Sequence, residues 1–248
     1  YMLGVYDLYS RLTERFPDIL FESCASGGGR NDPGMLAFAP QAWISDDTDA
    51  VERQRIQYGT SLVYPLVAMG AHVSAAPNHQ TGRVTPLDTR AAVAFFGNLG
   101  YELDPRALDE AEAERVRAQI AWYKQRRELI HGGRFHRLLS PFEGDGNETA
   151  WMVVADDREQ ALEGWYRTLT VPLPGPGLLR LRGLDPEACY RVTLWPAADD
   201  ALTRANERER GGDELMRQGL FLDDEAWQSQ LRGDFQARIF ELTRVVPS

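Results

Sequence analysis

The feature that most narrows the fold is an alternation of helical and strand periodicity from the first residues to Ile130, followed by a switch to strand patterning alone. Leu3, Tyr6, Leu8, Tyr9, Leu12 and Phe16 fall near helical spacing, Pro17 ends that run, and the apolar Ile19-Leu20-Phe21 reads as a strand. The pattern then repeats. Gln41 to Ile44 is a short strand, Ala50 to Tyr58 a helix, Ala71 to Ser74 a strand and Leu87 to Phe96 a helix. Gly100 to Leu103 is extended, and Leu108 to Ile130 is a long helix with a polar face. Strands that alternate with helices in this way build a parallel β/α arrangement, whose active-site groups gather on loops at the strand C-termini. Four such units are half of an eight-stranded barrel.

Ser140-Pro141-Phe142-Glu143-Gly144-Asp145-Gly146-Asn147 is rich in turn formers and reads as a linker. Beyond it, Thr149 to Val154, Ala161 to Val171, Leu178 to Leu181, Cys189 to Leu194 and Gln236 to Val246 read as strands separated by Pro, Gly and Asp clusters. The expectation is an α/β half-barrel over 1–140 and an all-β sandwich domain over 141–248, with the charged stretch Asp199 to Asp213 a solvated excursion.

Composition removes several classes of partner. The 248 residues, 43% of them hydrophobic, can fill one large or two ordinary cores. Lys and Arg total 27 against 37 Asp and Glu, a formal charge of -10 that repels phosphate backbones and anionic membrane surfaces, so neither nucleic acid nor a membrane is expected. The apolar stretch from Leu62 to Ala76 is broken by Pro65, Gly70 and His72 and is shorter than the roughly 20 residues that cross a bilayer. The start at Tyr1 runs straight into helical periodicity with no leader pattern, the expected look of a fragment. Cys24 and Cys189 form no CxxC motif and no disulfide framework, which favours a cytoplasmic setting.

Three clusters carry chemistry, each where a strand gives way to a loop. The first is Cys24-Ala25-Ser26-Gly27-Gly28-Gly29-Arg30-Asn31-Asp32. Its glycines let backbone N–H groups approach a ligand, and Arg30 offers a planar fork of donors with Asp32 as its expected partner. Phosphate-loop and dinucleotide patterns are missing, so no nucleotide cofactor is expected. Cys24 has no histidine beside it in sequence and reads as a pocket-lining thiol.

The second cluster, Trp43-Ile44-Ser45-Asp46-Asp47-Thr48-Asp49, packs three carboxylates into four positions. Asp49, with Glu52 three residues on, reads as a helix N-cap, which leaves Asp46 and Asp47 for other work. A carboxyl group at a strand end beside a tryptophan suits glycoside hydrolysis. Calcium is the rival reading, but the pattern of a calcium-binding loop is absent and no metal is expected. The third cluster, from Met69 through His72, Ser74, Asn78 and His79 to Arg83, reads as supporting structure.

Taken in order, Phe21-Glu22-Ser23-Cys24-Ala25-Ser26-Gly27-Gly28-Gly29-Arg30, Trp43-Ile44-Ser45-Asp46-Asp47-Thr48-Asp49, Gly70-Ala71-His72-Val73-Ser74 and Pro77-Asn78-His79-Gln80 resemble the glycoside hydrolase family 36 α-galactosidases. So do Gly97-Asn98-Leu99-Gly100-Tyr101-Glu102-Leu103, Arg137-Leu138-Leu139-Ser140-Pro141 and Gly212-Asp213-Glu214-Leu215-Met216. The resemblance implies the second half of a (β/α)8 barrel followed by a C-terminal β-domain. It also implies a retaining α-galactosidase acting on melibiose- and raffinose-type oligosaccharides, with a galactosyl-transferring enzyme or a carbohydrate-binding fragment as alternatives. Asp46 matches the family's general acid/base. Cys24, Ser26, Gly27, Gly28 and Arg30 match its sugar-contacting loop, and Trp43 and Asp47 fall beside the galactose pocket. The family's nucleophile lies in a Lys-x-Asp motif at the end of the fourth strand, and no such segment occurs in these residues. No cofactor is implied; a homo-oligomer is, the family tending toward tetramers.

Overall fold

The computed structural model describes residues 1–172, 177–198, 200–222 and 233–245. Its first part runs α1 (Met2–Arg15), β1 (Glu22–Ser23), α2 (Pro33–Leu36), β2 (Gln41–Trp43), α3 (Ala50–Thr60), β3 (Met69–Ser74), α4 (Leu87–Ala94), β4 (Asn98–Glu102) and α5 (Glu110–Gly132). The four strands form one parallel sheet in sequential order. Period two sorts their side chains. Met69, Ala71 and Val73 of β3 turn outward to meet Ala91 to Phe96, while Gly70 and His72 alternate with them on the inner face.

The first strand begins later than its apolar run suggests. Glu22 pairs with Gln41 and Ser23 with Ala42. Continuing the register backward would set Phe21 against Pro40, which has no N–H to give, so Ile19 to Phe21 stay outside the ladder and Leu20 is 87% exposed.

The second part comprises β5 (Arg134–Leu139), β6 (Glu148–Val154), β7 (Gln160–Arg167), β8 (Leu178–Leu179), β9 (Cys189–Trp195), α6 (Ala201–Asn206), β10 (Glu209–Gly211), α7 (Gly212–Arg217), β11 (Leu220–Phe221) and β12 (Gln236–Val245). Six strands form an antiparallel sheet in the order β10-β9-β12-β7-β6-β5, and β8 pairs with β11 in a small second layer. Both faces of the large sheet are buried. Trp151, Val153, Leu162, Tyr166, Ala237 and Ile239 join the core of the parallel half, against Phe95, Phe96, Trp122 and Tyr123. Their alternating neighbours Ala150, Met152, Trp165, Phe240 and Leu242 close on Leu179, Leu181, Leu215, Leu220 and Leu222.

Three expectations change here. Arg134–Leu139, which carries no strong strand signal, is an edge strand of the large sheet, bulged between Arg137 and Leu139. β7 ends at Arg167, because its partner β6 begins at Glu148, opposite that residue. The stretch from Asp200 to Asp213 is folded, holding α6, β10 and the start of α7, while Asp199 and the expected strand end at Val246 lie outside the described residues. Asp200 caps α6 by accepting from the Thr203 amide at 2.8 Å and pairs with Arg238 at 3.0 Å. Leu202, Asn206 and Arg210 are buried between the charges that make the segment look solvated.

Candidate active site

Because β1 to β4 are parallel, the loops that follow them leave the same edge of the sheet. The loop after β1 turns through left-handed backbone at Ser26 (φ 49), Gly27 (φ 61) and Gly28 (φ 85). A Cβ at Gly27 would overlap the Asp46 nitrogen and the Ser45 backbone, and one at Gly28 would lie 2.7 Å from the Ile44 carbonyl oxygen. These two glycines therefore do more than open N–H groups toward a ligand. They let the first loop lie directly on the peptide that carries Asp46.

Of the three carboxylates in the second loop, two are consumed by structure. Asp47 Oδ1 accepts from the Asp49 amide at 2.9 Å. Asp49 N-caps α3, accepting from the Val51 amide at 2.8 Å, from Arg83 at 2.5 Å and from the Thr81 hydroxyl. Its carboxyl sits below the usual range: burial works to raise it, and the Thr81, Val51 and Arg83 donors together outweigh burial. Asp46 is exposed and makes no side-chain hydrogen bond or ion pair among the described residues. It is the carboxylate left available for chemistry.

The third loop acts as a brace for the second. Ser74 Oγ donates to the Thr48 carbonyl at 3.0 Å and the Asn78 amide to Thr48 Oγ1 at 3.1 Å. Arg83 also reaches Glu52 at 3.6 Å. His72 does not approach Cys24 as a base would. Its ring stacks on Trp43 with centroids 4.2 Å apart and planes 25° apart, and its Nδ1 lies 3.5 Å from Glu102. Burial holds the His72 imidazole below its ordinary value, with Glu102 opposing, so it is neutral at pH 7.

Arg30 and Asp32 are not partners. Arg30 folds back over its own loop, donating to the Cys24 carbonyl at 2.5 Å and to the Tyr1 hydroxyl at 2.9 Å. Asp32 instead accepts from the Tyr6 hydroxyl at 2.6 Å and from the amides of Gly34 and Met35 at 2.8 and 3.0 Å, capping α2. Cys24 is an exposed free thiol, Ser26 is exposed beside it, and Trp43 is buried on the inner face of the sheet. Among the described residues no group of three or more His, Cys, Asp or Glu is placed to hold a metal ion.

Sequence reasoning passed over Arg53 and Glu102. Both are signalled by period: Glu102 lies on the same face of β4 as Gly100, opposite the core-packed Leu99, Tyr101 and Leu103, and Arg53 is one helical turn beyond Asp49.

The sequence matches the Melibiase family over residues 1–133 and the glycosyl hydrolase family 36 C-terminal domain over residues 148–242. It is 53% identical over 222 residues to α-galactosidase AgaA of Geobacillus stearothermophilus, covering 90% of this chain and 28% of that protein. It is 41% identical over 245 residues to α-galactosidase Mel36A of Lactobacillus acidophilus, covering 99% of this chain and 31% of that one. The crystal structure of the glycoside hydrolase family 36 α-galactosidase AgaB of Geobacillus stearothermophilus superimposes with a TM-score of 0.88 at 50% identity, over 99% of this chain and 31% of that one. A variant of AgaA solved in complex with raffinose gives a TM-score of 0.88 at 48% identity. The chain thus spans about a third or less of the length of these relatives, at 28% to 31%. The four parallel units are half of an eight-stranded β/α barrel, and the chain belongs to the melibiase family, in its glycoside hydrolase family 36 branch.

Proposed function

We propose that this chain supplies the acid/base half of a retaining α-galactosidase site, with Asp46 as the proton-transferring group. The observation that carries the reading is that, of the three carboxylates after β2, only Asp46 is uncommitted among the described residues: its backbone lies against Gly27 while its neighbours Asp47 and Asp49 are engaged in structure. In a retaining double displacement two carboxyl groups stand about 5 to 5.5 Å apart. Asp46, entering protonated, gives its proton to the departing glycosidic oxygen as a carboxylate nucleophile from outside this chain attacks the anomeric carbon. It then takes a proton from the water that cleaves the galactosyl ester, which restores the starting state. Trp43, buried against His72 and the Arg53 guanidinium, backs the site from beneath, and the Cys24, Ser26, Gly27, Gly28 and Arg30 loop, with Asp47 beside it, surrounds the sugar.

The proposed substrates are oligosaccharides with terminal α-galactosyl residues, of the melibiose and raffinose type, because the raffinose complex of AgaA shares 48% identity with this chain. A cytoplasmic homo-oligomer is the proposed setting; two free cysteines fit that compartment. The test is Asp46→Ala in a full-length polypeptide that carries this chain. Hydrolysis of raffinose should fall by about 10² to 10⁴, and that of an aryl galactoside with a good leaving group by far less, since such a group departs without a proton. Equal losses on both substrates would remove Asp46 from the role.

A further inference from the structure

Arg53 poses a problem that capping and packing do not answer. It sits in the first turns of α3 at 2% exposure, a cation taken out of water, and no carboxylate oxygen lies within 4 Å of it among the described residues. Burial of an arginine without a paired anion is unfavourable, and a fold keeps such a group only where other interactions compensate. Here burial pulls the guanidinium down to about 10, against the opposing pull of Asp47, Glu102 and Asp46.

What the guanidinium touches is specific. Nη2 donates to the Ser45 carbonyl at 2.8 Å, and Nη1 lies 3.5 Å from the Gly70 carbonyl. Its central carbon lies 4.2 Å from the Trp43 ring centroid. Ser45 immediately precedes Asp46, and Gly70 pairs in register with Trp43. One planar side chain thus ties the residues just after β2, the start of β3 and the buried Trp43 ring. The titratable groups around it come from every element it meets: Asp46 and Asp47 from the loop after β2, His72 from β3 and Glu102 from β4.

We propose that Arg53 is a positioning residue for Asp46, its fork fixing the Ser45 carbonyl and the Trp43 ring so that the acid/base projects from a rigid strand end. The inference deepens the galactosidase reading and rests on it only for what Asp46 does. Lysine keeps the charge but loses the rigid fork and the stacked plane, and glutamine loses the charge as well, so the pair separates geometry from field.

The experiment is residue-resolved amide hydrogen exchange on this chain and on its Arg53→Lys and Arg53→Gln variants, with Ala91 to Phe95 as core reporters. The expected result is exchange at Asp47 and Asp49, whose amides donate to Ser45 Oγ and Asp47 Oδ1 at 3.1 and 2.9 Å, faster by about tenfold or more in both variants, with the core reporters unchanged. A role in general stability would move the core reporters along with Asp47 and Asp49. Exchange at Asp47 and Asp49 that is unchanged in either folded variant, or that rises only in step with the core, overturns the proposal. Should Arg53→Gln fail to fold, Arg53→Lys alone decides. In the full-length polypeptide, Arg53→Lys should lower kcat on raffinose with KM changed less than twofold. Loss of activity on Asp46→Ala tests the galactosidase reading separately, because amide exchange at Asp47 and Asp49 does not depend on it.

Discussion

Gly27 and Gly82 share left-handed backbone, at φ 61 and φ 68, but their surroundings differ. A Cβ at Gly82 meets nothing within 4 Å, whereas at Gly27 it meets the Asp46 peptide. Gly82→Ala should therefore cost only the conformational penalty of about 1 kcal/mol. Gly27→Ala carries the same penalty plus the displacement of Ser45 and Asp46, so thermal unfolding should show the larger loss. Equal behaviour of the two variants would sever the link between loop and strand end. Glu163 is a different kind of outlier, fully buried in β7 between Met152 and Phe240 with neither carboxylate oxygen bonded among the described residues. Burial pushes its carboxyl well above the usual range. A folded value raised above the unfolded one means stability is fully present below about pH 4.3 and is lost as pH rises toward the folded value, at up to about 1.4 kcal/mol per pH unit. Glu163→Gln should flatten that decline, so its melting temperature relative to the parent should rise between pH 4 and pH 7. Residue chemistry was the most legible level at Asp49, whose capping role follows from the acid three residues later, and at Asp46, left over once that cap is assigned. Arg53 and Glu163 were not legible, because a charged letter in sequence reads as solvent-facing until a neighbour is seen to cover it.

At the scale of elements, α5 shows local rules and tertiary packing acting together. Asp109 accepts from the Glu112 amide at 2.8 Å while Glu112 reaches back to the Asp109 amide, a reciprocal cap that satisfies two otherwise orphaned donors. Asp109→Ala should lower stability by about 1 kcal/mol, read by denaturant titration. Further along the same helix Trp122 stacks on Phe95 at 4.5 Å, lies 5.5 Å from Trp195 and donates to Glu241 at 2.6 Å. Trp122→Ala should cost about 3 to 5 kcal/mol and loosen the parallel half and the antiparallel sheet together, so near-ultraviolet dichroism and far-ultraviolet dichroism should melt at one temperature. The strands were readable where burial is one-sided, as in the alternation of β9, and where it is two-sided, as in the apolar run of β6. β5 was missed because Arg134, His136 and Arg137 interrupt both patterns and a bulge shifts its register.

On the scale of the whole molecule, the parallel sheet has unpaired outer edges at β1 and β4. No residue of α1 is buried, Leu3 is 83% exposed, and a cavity of about 520 Å³ runs along Leu8, Leu12 and Phe16. Apolar surface beside an open strand edge promotes association. The isolated chain should sediment as a concentration-dependent mixture, and Leu3→Glu with Leu20→Glu should shift it toward monomer; a monomer at every concentration would contradict this. The barrel half and the β-rich half were visible in sequence as a change of period, but their mutual embrace was not, since no spacing reports which face of a sheet meets which helix. That embrace governs what a protease can accomplish. The turn around Gly144 and Gly146 is exposed and inviting, yet scission there would leave β5 on the upstream piece while it stays laced to β6 on the downstream one. The severed halves should travel together through a sizing column, held by a shared floor rather than by the peptide that once joined them.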